Sequence, residues 1–290
     1  MLKKLSNLYF FAILILYSGY SETVYSYSSD EPLVIGIFPR RNSVKTITFF
    51  KPLEVYLSKK LNRRIQLKTS KNFATFWKGV KKGEYDLVHY NQYHYMISHK
   101  KYGYTVILKN KEFGESTITG SIIVRKDSGI KNVMDLTGKK IVFGGGPKAM
   151  QSYIYARYLL ETNGLDRSEY VVSFAKNPPN AIIATYLKQA SAAGSGEKVL
   201  LLGVVKNSID TSKLKYLVKG KQLAHLPWAV SKDMPDELQN KIQTILANMV
   251  NTSEGRKVLK MAKLDSLDIA TDAEYNPHRE IVFKVLKEEY

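Results

Sequence analysis

The chain of 290 residues contains no cysteine. It therefore has no disulfide framework, no lipid-bearing cysteine of the kind that tethers exported lipoproteins, and no thiol nucleophile. Enzyme signatures are missing as well. The sequence has no G-x-S-x-G elbow and no Walker loop, and its five histidines do not follow a metal-binding pattern such as H-E-x-x-H. We therefore expect a protein without catalytic residues, without a metal site and without a cofactor.

Acidic residues are scarce relative to basic ones. The sequence has 26 Asp and Glu residues against 44 Lys and Arg residues, which gives a formal charge of +18. A surplus of this size favours anionic partners. The basic residues are scattered along the chain and do not accompany a nucleic-acid-reading motif, so we expect no nucleic-acid partner. A solvated basic surface explains the bulk charge equally well.

Long apolar runs are also absent, and the run near the amino end spans only residues 8–16. It follows Lys3 and Lys4 and precedes small residues, which is the layout of a secretory signal peptide. A helix needs about 20 apolar residues to cross a bilayer, so a permanent anchor is the weaker alternative. We expect residues 1–26 to be the signal, with cleavage between 21 and 30, and the mature protein to be soluble in the periplasm.

From residue 33 onward, short β-branched runs alternate with amphipathic stretches, which is typical of parallel strands joined by helices. The first strand is predicted over residues 33–38. Apolar residues then recur at spacings of three and four, which predicts a helix over residues 46–61 with one buried face. Further strands are predicted at 64–68, 86–90, 105–109, 121–124, 140–143, 170–174 and 199–204, and further helices at 149–163, after Pro235 and at 272–290. We therefore expect an α/β fold with at least one parallel or mixed sheet.

Two extended segments, residues 117–125 and 216–230, lie far apart in the sequence, and neither has a strong helical period. Such a pair can carry the chain out of one lobe and back into it. We therefore expect lobe I to contain residues 32–121 and 226–290, and lobe II to contain residues 122–225. The hinges would lie near residues 118–124 and 222–228.

Ligands of open α/β sheets bind outside the carboxyl ends of the strands, so the residues after each predicted strand are the first candidates. The first strand is followed by Arg40, Arg41 and Asn42. Arginine side chains match the oxygens of carboxylates and phosphates in bidentate geometry. These three residues are therefore predicted to bind an anion, although either arginine could instead face solvent.

The third strand is followed by a concentration of aromatic and amide side chains at residues 90–95. A tyrosine supplies both an apolar wall and a hydrogen-bond donor. We predict that Tyr90, Asn91 and Tyr95 face the ligand, and we leave Tyr93 and His94 open. The alternative is that alternate tyrosines pack under the following helix.

The strand at 140–143 runs into three glycines, Pro147 and Lys148, and then into a predicted helix. A glycine-rich turn that opens a helix presents free backbone N–H groups, and a lysine beside them adds charge. We predict an anion-binding turn that includes Lys148 and, in the first turns of the helix, Ser152 and Tyr153. A plain tight turn would need the same glycines.

Two further pairs of candidates follow. Asn177 and Asn180 come after the strand at 170–174. The alternative for Asn180 is that it is the N-cap of the next helix and has no contact with a ligand. His225 and Trp228 lie in the returning crossover segment, where an imidazole and an indole beside a cleft suit ligand contact. A buried structural histidine is the alternative for His225.

Taken together, these segments resemble the phosphate/phosphite/phosphonate substrate-binding proteins of ABC transporters, from Pro32 to Arg279. The motifs that carry the resemblance are GIFPRRN at 36–42, DLVHYNQYHY at 86–95, IIVRKDSG at 122–129, DLTGKKIVFGGGPKAMQSY at 135–153, FAKNPPNA at 174–181 and AHLPWAV at 224–230. The resemblance implies a two-lobed periplasmic binding fold of the type II kind, with two hinge-crossing strands. It also implies that a monomer binds a small anion in the interlobe cleft and delivers it to an ABC permease in the inner membrane.

The chain departs from the family at two places. Members bind the oxyanion with a hydroxyl-rich helix start, with a tyrosine matching Tyr95 and often with acidic residues near Pro178 and Ser191. Here the helix start reads GPKAMQS at 146–152, and the acidic positions are Pro178, Pro179 and Ser191. Arginine and lysine in place of acids would favour a more anionic ligand. Phosphate, phosphite and organophosphonates all remain open, and the rival functions are a ligand-reporting partner of a membrane signalling protein and an enzyme on the same frame.

Overall fold

The computed structural model describes residues 31–40 and 43–290. The predicted signal peptide and the candidates Arg41 and Asn42 lie outside the described residues. The strands are β1 Leu33–Ile37, β2 Ile65–Lys68, β3 Leu87–His89, β4 Thr105–Lys111, β5 Thr117–Ile118, β6 Gly120–Arg125, β7 Lys140–Gly144, β8 Val171–Ala175, β9 Ala192–Gly196, β10 Leu214–Lys219, β11 Leu223–Ala224, β12 Pro227–Val230 and β13 Ser266–Ile269. The α-helices are α1 Ser43–Leu61, α2 Phe73–Lys81, α3 Gln92–Tyr102, α4 Ala156–Thr162, α5 Pro178–Tyr186, α6 Gly203–Lys206, α7 Asp236–Ala247, α8 Ser253–Ala262 and α9 Asn276–Leu286.

The strands form two mixed sheets, which confirms the predicted α/β class. The first sheet has the order β13-β4-β12-β3-β1-β2, in which β2, β1 and β3 are parallel. The second sheet has the order β10-β6-β9-β7-β8, in which β9, β7 and β8 are parallel. In each sheet the parallel strands therefore end at one edge, where ligands bind in open α/β sheets.

A short antiparallel ribbon joins the two sheets where the chain passes between them. Its strands β5 and β11 pair Thr117 with Ala224 and Ile118 with Leu223. The outgoing chain leaves the ribbon for β6, and the returning chain enters it from β10. Both chain crossings thus lie side by side.

Helix α1 begins at Ser43 and follows the predicted periodicity. Phe50, Leu53, Leu57 and Leu61 recur at spacings of three and four, and all four are buried against the first sheet. The helix after the glycine turn begins as a π-helix at Met150–Tyr155 and continues directly into α4. Apolar residues of both sheets belong to one buried cluster. It contains Tyr90 and Val106 from the first sheet, Ile122 and Phe143 from the second sheet, and Leu226 from the returning chain.

The strand predicted at 199–204 is wrong. Residues Glu197–Leu201 form a 3₁₀-helix, and α6 follows. The strand lies earlier, at β9, whose sequence AAGSG has no β-branched residue. Small residues are needed there because a Cβ on Gly194 would clash with the ring of Phe143 and lie 2.6 Å from the carbonyl oxygen of Ser152. The helix thus packs directly on the backbone of β9.

The close approach at Gly194 predicts a large cost for a single methyl group. Gly194→Ala should lower the free energy of unfolding by about 1–3 kcal/mol, since the ring of Phe143 and the π-helix must both shift. Denaturant unfolding measures this difference. Gly203→Ala is the matched control, because within residues 31–40 and 43–290 no heavy atom lies within 4 Å of its new Cβ. Equal stability of the two variants would contradict the packing described.

Candidate functional site

The parallel-strand ends of the two sheets are joined by a hydrogen bond, and an ion pair beside the ribbon also links the two sheets. The side chain of Asn91, after β3, donates through Nδ2 to the carbonyl oxygen of Lys148, after β7, at 3.3 Å. A second contact joins Glu115, which precedes the ribbon, to Lys198, which follows β9, with 3.1 Å between Nζ and Oε2. Candidates from both sheets are therefore brought together at Asn91 and Lys148.

Arg40 is engaged within its own sheet. Its guanidinium forms a bidentate pair with Glu112, with nitrogen–oxygen distances of 3.2 and 3.3 Å. Burial alone would raise the pKa of Glu112, but the charge of Arg40, the charge of His225 and the hydrogen bonds from Arg40 and Asn110 together outweigh burial and lower the pKa to about 2. Glu112 also accepts from Asn110 at 2.9 Å. The Arg40 charge is thus largely compensated before any ligand arrives.

Asn91 is the N-cap of α3 and fixes the ring of His94. Its Oδ1 accepts from the backbone N–H of His94 at 2.9 Å and lies 2.8 Å from His94 Nδ1. The ring of His94 stacks on Phe73, with centroids 4.7 Å apart, and Trp77 meets its edge. Burial, and then the charge of Lys148, lowers the pKa of His94 to about 3. His94 is therefore neutral at physiological pH.

Tyr90 and Tyr95 lie in the core of the first sheet. Tyr95 is fully buried, and its hydroxyl donates to Oδ1 of Asp272 at 2.6 Å and accepts from the backbone of Val106. Burial, and then the hydrogen bond to Asp272, raises the pKa of Tyr95. Tyr90 packs its ring edge-on to Tyr104, with centroids 5.9 Å apart. These contacts account for both tyrosines as packing residues, and their ligand contact stays a prediction.

The glycine turn is shaped by close packing as well as by its conformation. A Cβ on Gly144 would lie 2.7 Å from the nitrogen of Pro178, and Gly145 has a φ of +103°, which favours glycine. Lys148 is exposed at the end of this turn and forms no ion pair with any residue in the described part of the chain. Ser152 and Tyr153 are buried, and the ring of Tyr153 packs against Phe143 and Phe174.

The remaining candidates have structural partners. Asn177, and not Asn180, caps α5, because its Oδ1 accepts from the backbone N–H of Asn180 at 3.0 Å. The N-cap assignment of Asn180 is therefore wrong, since Asn180 lies in the first helical turn. The ring of His225 accepts at Nδ1 from the N–H of Leu226, and burial lowers its pKa to about 4. Trp228 is fully buried and donates to Oδ1 of Asn110 at 2.8 Å.

Two polar residues at the end of the second sheet were not singled out from the sequence. Gln151 lies in the first turn of the π-helix, and neither its Oε1 nor its Nε2 has a partner among the described residues. Ser195, on β9, is fully buried, and its Oγ has no partner within the same ranges. Gln151 lies within the predicted anion-binding turn, so its polar side chain at that position could have identified it as a candidate from the sequence. Ser195 carried no signal because β9 was not predicted.

The described residues contain neither a cluster of metal ligands nor a membrane-spanning helix. Among them, no group of three or more His, Asp or Glu side chains is placed to hold a metal ion. The helices within 31–40 and 43–290 include none with the length and apolar content that a bilayer crossing requires. Grooves of about 540 and 380 Å³ lie along α1, away from the strand ends.

The same fold occurs in several solved structures. A binding protein component of an ABC phosphonate transporter from Pseudomonas aeruginosa has 16% identity and a TM-score of 0.75, covering 89% of this chain and 88% of that chain. PhnD1 from Prochlorococcus marinus, in complex with methylphosphonate, has 15% identity and a TM-score of 0.76, covering 90% and 100%. A Xanthomonas citri protein bound to ATP has 14% identity and a TM-score of 0.74, covering 90% and 98%.

At these identities the likeness shows a shared fold, which is that of two-lobed periplasmic binding proteins. The family is shown by a match to the sequence itself. Residues 35–275 match the family model described as the ABC transporter, phosphonate, periplasmic substrate-binding protein. The match includes both sheets and every described candidate residue. The chain therefore belongs to the family of periplasmic substrate-binding proteins of phosphonate ABC transporters.

Proposed function

We propose that this protein captures a small phosphonate-class oxyanion between the strand ends of its two sheets and delivers it to an ABC permease in the inner membrane. The observation that carries the proposal is the contact from Asn91 to Lys148. It brings the residues after β3 to the anion-binding turn after β7. A ligand held there would touch both sheets, and its binding would favour the closed arrangement.

The charged contact to the ligand is Lys148, assisted by backbone N–H groups at the start of the π-helix, because the N–H of Gly145 already donates to Ala175. Lys148 is exposed, whereas Arg40 already faces the buried carboxylate of Glu112. A lysine beside free N–H groups suits an oxyanion because each provides a charged or polarised donor. Arg41 and Asn42 stay predicted contacts of the same ligand.

The division into lobes follows the chain crossings. We propose residues 32–121 and 226–290 as lobe I and residues 122–225 as lobe II, with hinges near 118–124 and 222–228. The ribbon of β5 and β11 supports this division, since both crossings pair there. A two-stranded ribbon is only marginally stable by itself, so the ribbon would offer little resistance to bending.

The cellular setting is also part of the proposal. We infer export by the signal at residues 1–26, a soluble monomer in the periplasm, and no catalytic activity, because substrate capture for a permease requires none. A role as the partner of a membrane signalling protein is not favoured, since the matched family is a transporter component. No observation favours an enzyme.

Calorimetric titration at fixed ionic strength tests the proposed ligand class. We expect at least one of methylphosphonate, phosphite and phosphate to bind saturably with one site per chain. Sulfate is the control for attraction by the overall charge of +18. If all three anions bind no better than sulfate, the proposed ligand class is wrong while the family assignment stands.

A further inference from the structure

Gln151 is a buried carboxamide with unused hydrogen-bonding groups. Its side chain is 8% exposed, and both the acceptor Oε1 and the donor Nε2 are buried without a partner among residues 31–40 and 43–290. An amide buried without hydrogen bonds is costly, and such groups in folded proteins are usually satisfied by water or by a ligand. The orphaned amide therefore marks a place where a polar molecule fits.

The position of Gln151 is at the edge where the parallel strands of the second sheet end. Its Cβ lies 3.6 Å from the place that a Cβ on Gly196 would occupy, and its carbonyl oxygen lies 2.8 Å from the corresponding place on Gly120. Gly196 ends β9, and Gly120 begins β6 beside the ribbon. Three residues before Gln151 is Lys148, the proposed charged contact. The amide is thus part of the proposed site.

The opposite side of the site also offers acceptors. Because Asn91 Nδ2 donates to Lys148, its Oδ1 must accept from His94, and this places the ring proton on Nδ1. Nε2 of His94 is then a hydrogen-bond acceptor. Gln92 donates through Nε2 to the carbonyl of Ala224, which leaves its buried Oε1 without a partner among the described residues. Gln92 follows β3 directly beside Asn91, so an acceptor without a partner also lies near the strand ends of the first sheet.

We propose that Gln151 makes the site selective for a singly protonated phosphonate, which is a monoanion with one P–OH group. Nε2 of Gln151 donates to an ionised oxygen, and the P–OH donates to Oε1. A dianion offers acceptors only, so Oε1 would face a negative oxygen and stay unpaired. This inference rests on the proposed function. The proposed selectivity is opposite to the preference for a more anionic ligand that the sequence predicts. That prediction counted the charge of Arg40, but the carboxylate of Glu112 compensates this charge.

Protonation of the ligand, and not of the protein, dominates the expected pH response. The titratable groups on the π-helix and on the helices that pack against it are Tyr153, Tyr155, Arg157, Tyr158, Glu161, His278, Arg279, Glu280 and Lys284. The neighbouring strands add Arg125 and Lys140, Lys148 precedes the π-helix, Glu197 follows β9, and His94 follows β3. Burial lowers the pKa values of His94 and His278 to about 3, so neither histidine changes charge between pH 5 and 8. Phosphonates lose their second proton near neutral pH, within this window.

The test is titration of methylphosphonate by calorimetry across its second ionisation at fixed ionic strength. Wild-type affinity should fall about tenfold for each pH unit above that ionisation, because only the monoanion binds and its fraction falls accordingly. Gln151→Leu should bind about tenfold more weakly at low pH, and its affinity should no longer fall with pH. Gln189→Leu, which alters an exposed glutamine, is the matched control and should keep the wild-type profile.

The outcomes separate this inference from the proposed function. A wild-type affinity that rises or stays constant with pH would overturn the selectivity for the monoanion. If the affinity of Gln151→Leu for methylphosphonate falls with pH as steeply as that of the wild type, and thermal unfolding shows that the variant is folded, Gln151 does not select the protonated ligand. The absence of binding by any oxyanion at any pH would overturn the proposed function and this inference together.

Discussion

Replacing Lys148 by alanine should weaken methylphosphonate binding about tenfold to a hundredfold. A charged hydrogen bond contributes about 1.5–3 kcal/mol, and Lys148 is the exposed cation at the anion-binding turn. Folding should be nearly unaffected, because Asn91 bonds the carbonyl oxygen of Lys148, which the substitution retains. Calorimetric titration measures the affinity, and thermal unfolding measures the stability.

The control for Lys148→Ala is Lys81→Ala, which removes one exposed charge from the end of α2. It lowers the net charge by the same amount, so any general attraction of anions falls equally in both variants. We expect wild-type affinity for Lys81→Ala. If Lys148→Ala binds the anion as tightly as this control, the turn after β7 is not the anion site.

Replacing Trp228 by alanine should lower the free energy of unfolding by about 3–5 kcal/mol. The indole is fully buried between Phe50 and His89, with ring centroids 6.0 and 4.6 Å away. Truncation leaves a cavity of aromatic size in the first sheet, and such cavities are only partly filled by relaxation. Denaturant unfolding followed by circular dichroism measures the loss.

Trp228→Phe separates the packing of this residue from its hydrogen bond. Phenylalanine keeps much of the ring contact but leaves Oδ1 of Asn110 without its donor, which should cost about 1–3 kcal/mol. If Trp228 has only this structural role, ligand affinity of the folded variant should equal that of the wild type. A weakened affinity of the folded variant would instead support the sequence-based prediction that Trp228 contacts the ligand.

Local patterns in the sequence predicted much of the fold. Helix α1 and strand β1 were predictable because their apolar residues follow the periods of a helix and a buried strand. Strand β9 was not, since its conformation is imposed by neighbours: Phe143 and the π-helix require glycine where strand propensity favours branched residues. The apolar pattern at 199–204 fits a strand, but β9 occupies the position between β6 and β7 in the sheet, and residues 197–201 and 203–206 are helical.

The site was less predictable than the fold, because side-chain partners distant in sequence decide which groups are available. Arg40 pairs with Glu112, which is 72 positions away. Tyr95 donates to Asp272, which is 177 positions away. Nothing near Arg40 or Tyr95 in the sequence identifies these partners. Asn91 and Lys148 could be placed because each lies within four residues of the end of a parallel strand, and the edge of a parallel sheet collects such residues.

The apolar cluster that spans both sheets has a consequence for how the molecule holds together. Two lobes joined by a flexible hinge are often pictured as independent units. Here Tyr90 and Val106 of the first sheet belong to the same buried cluster as Ile122 and Phe143 of the second sheet. Leu226 in the returning chain belongs to this cluster as well. Loss of either sheet would expose apolar surface of the other, so their stabilities are coupled. The proposed hinge is therefore not a boundary at which the molecule can be divided into separately folding halves.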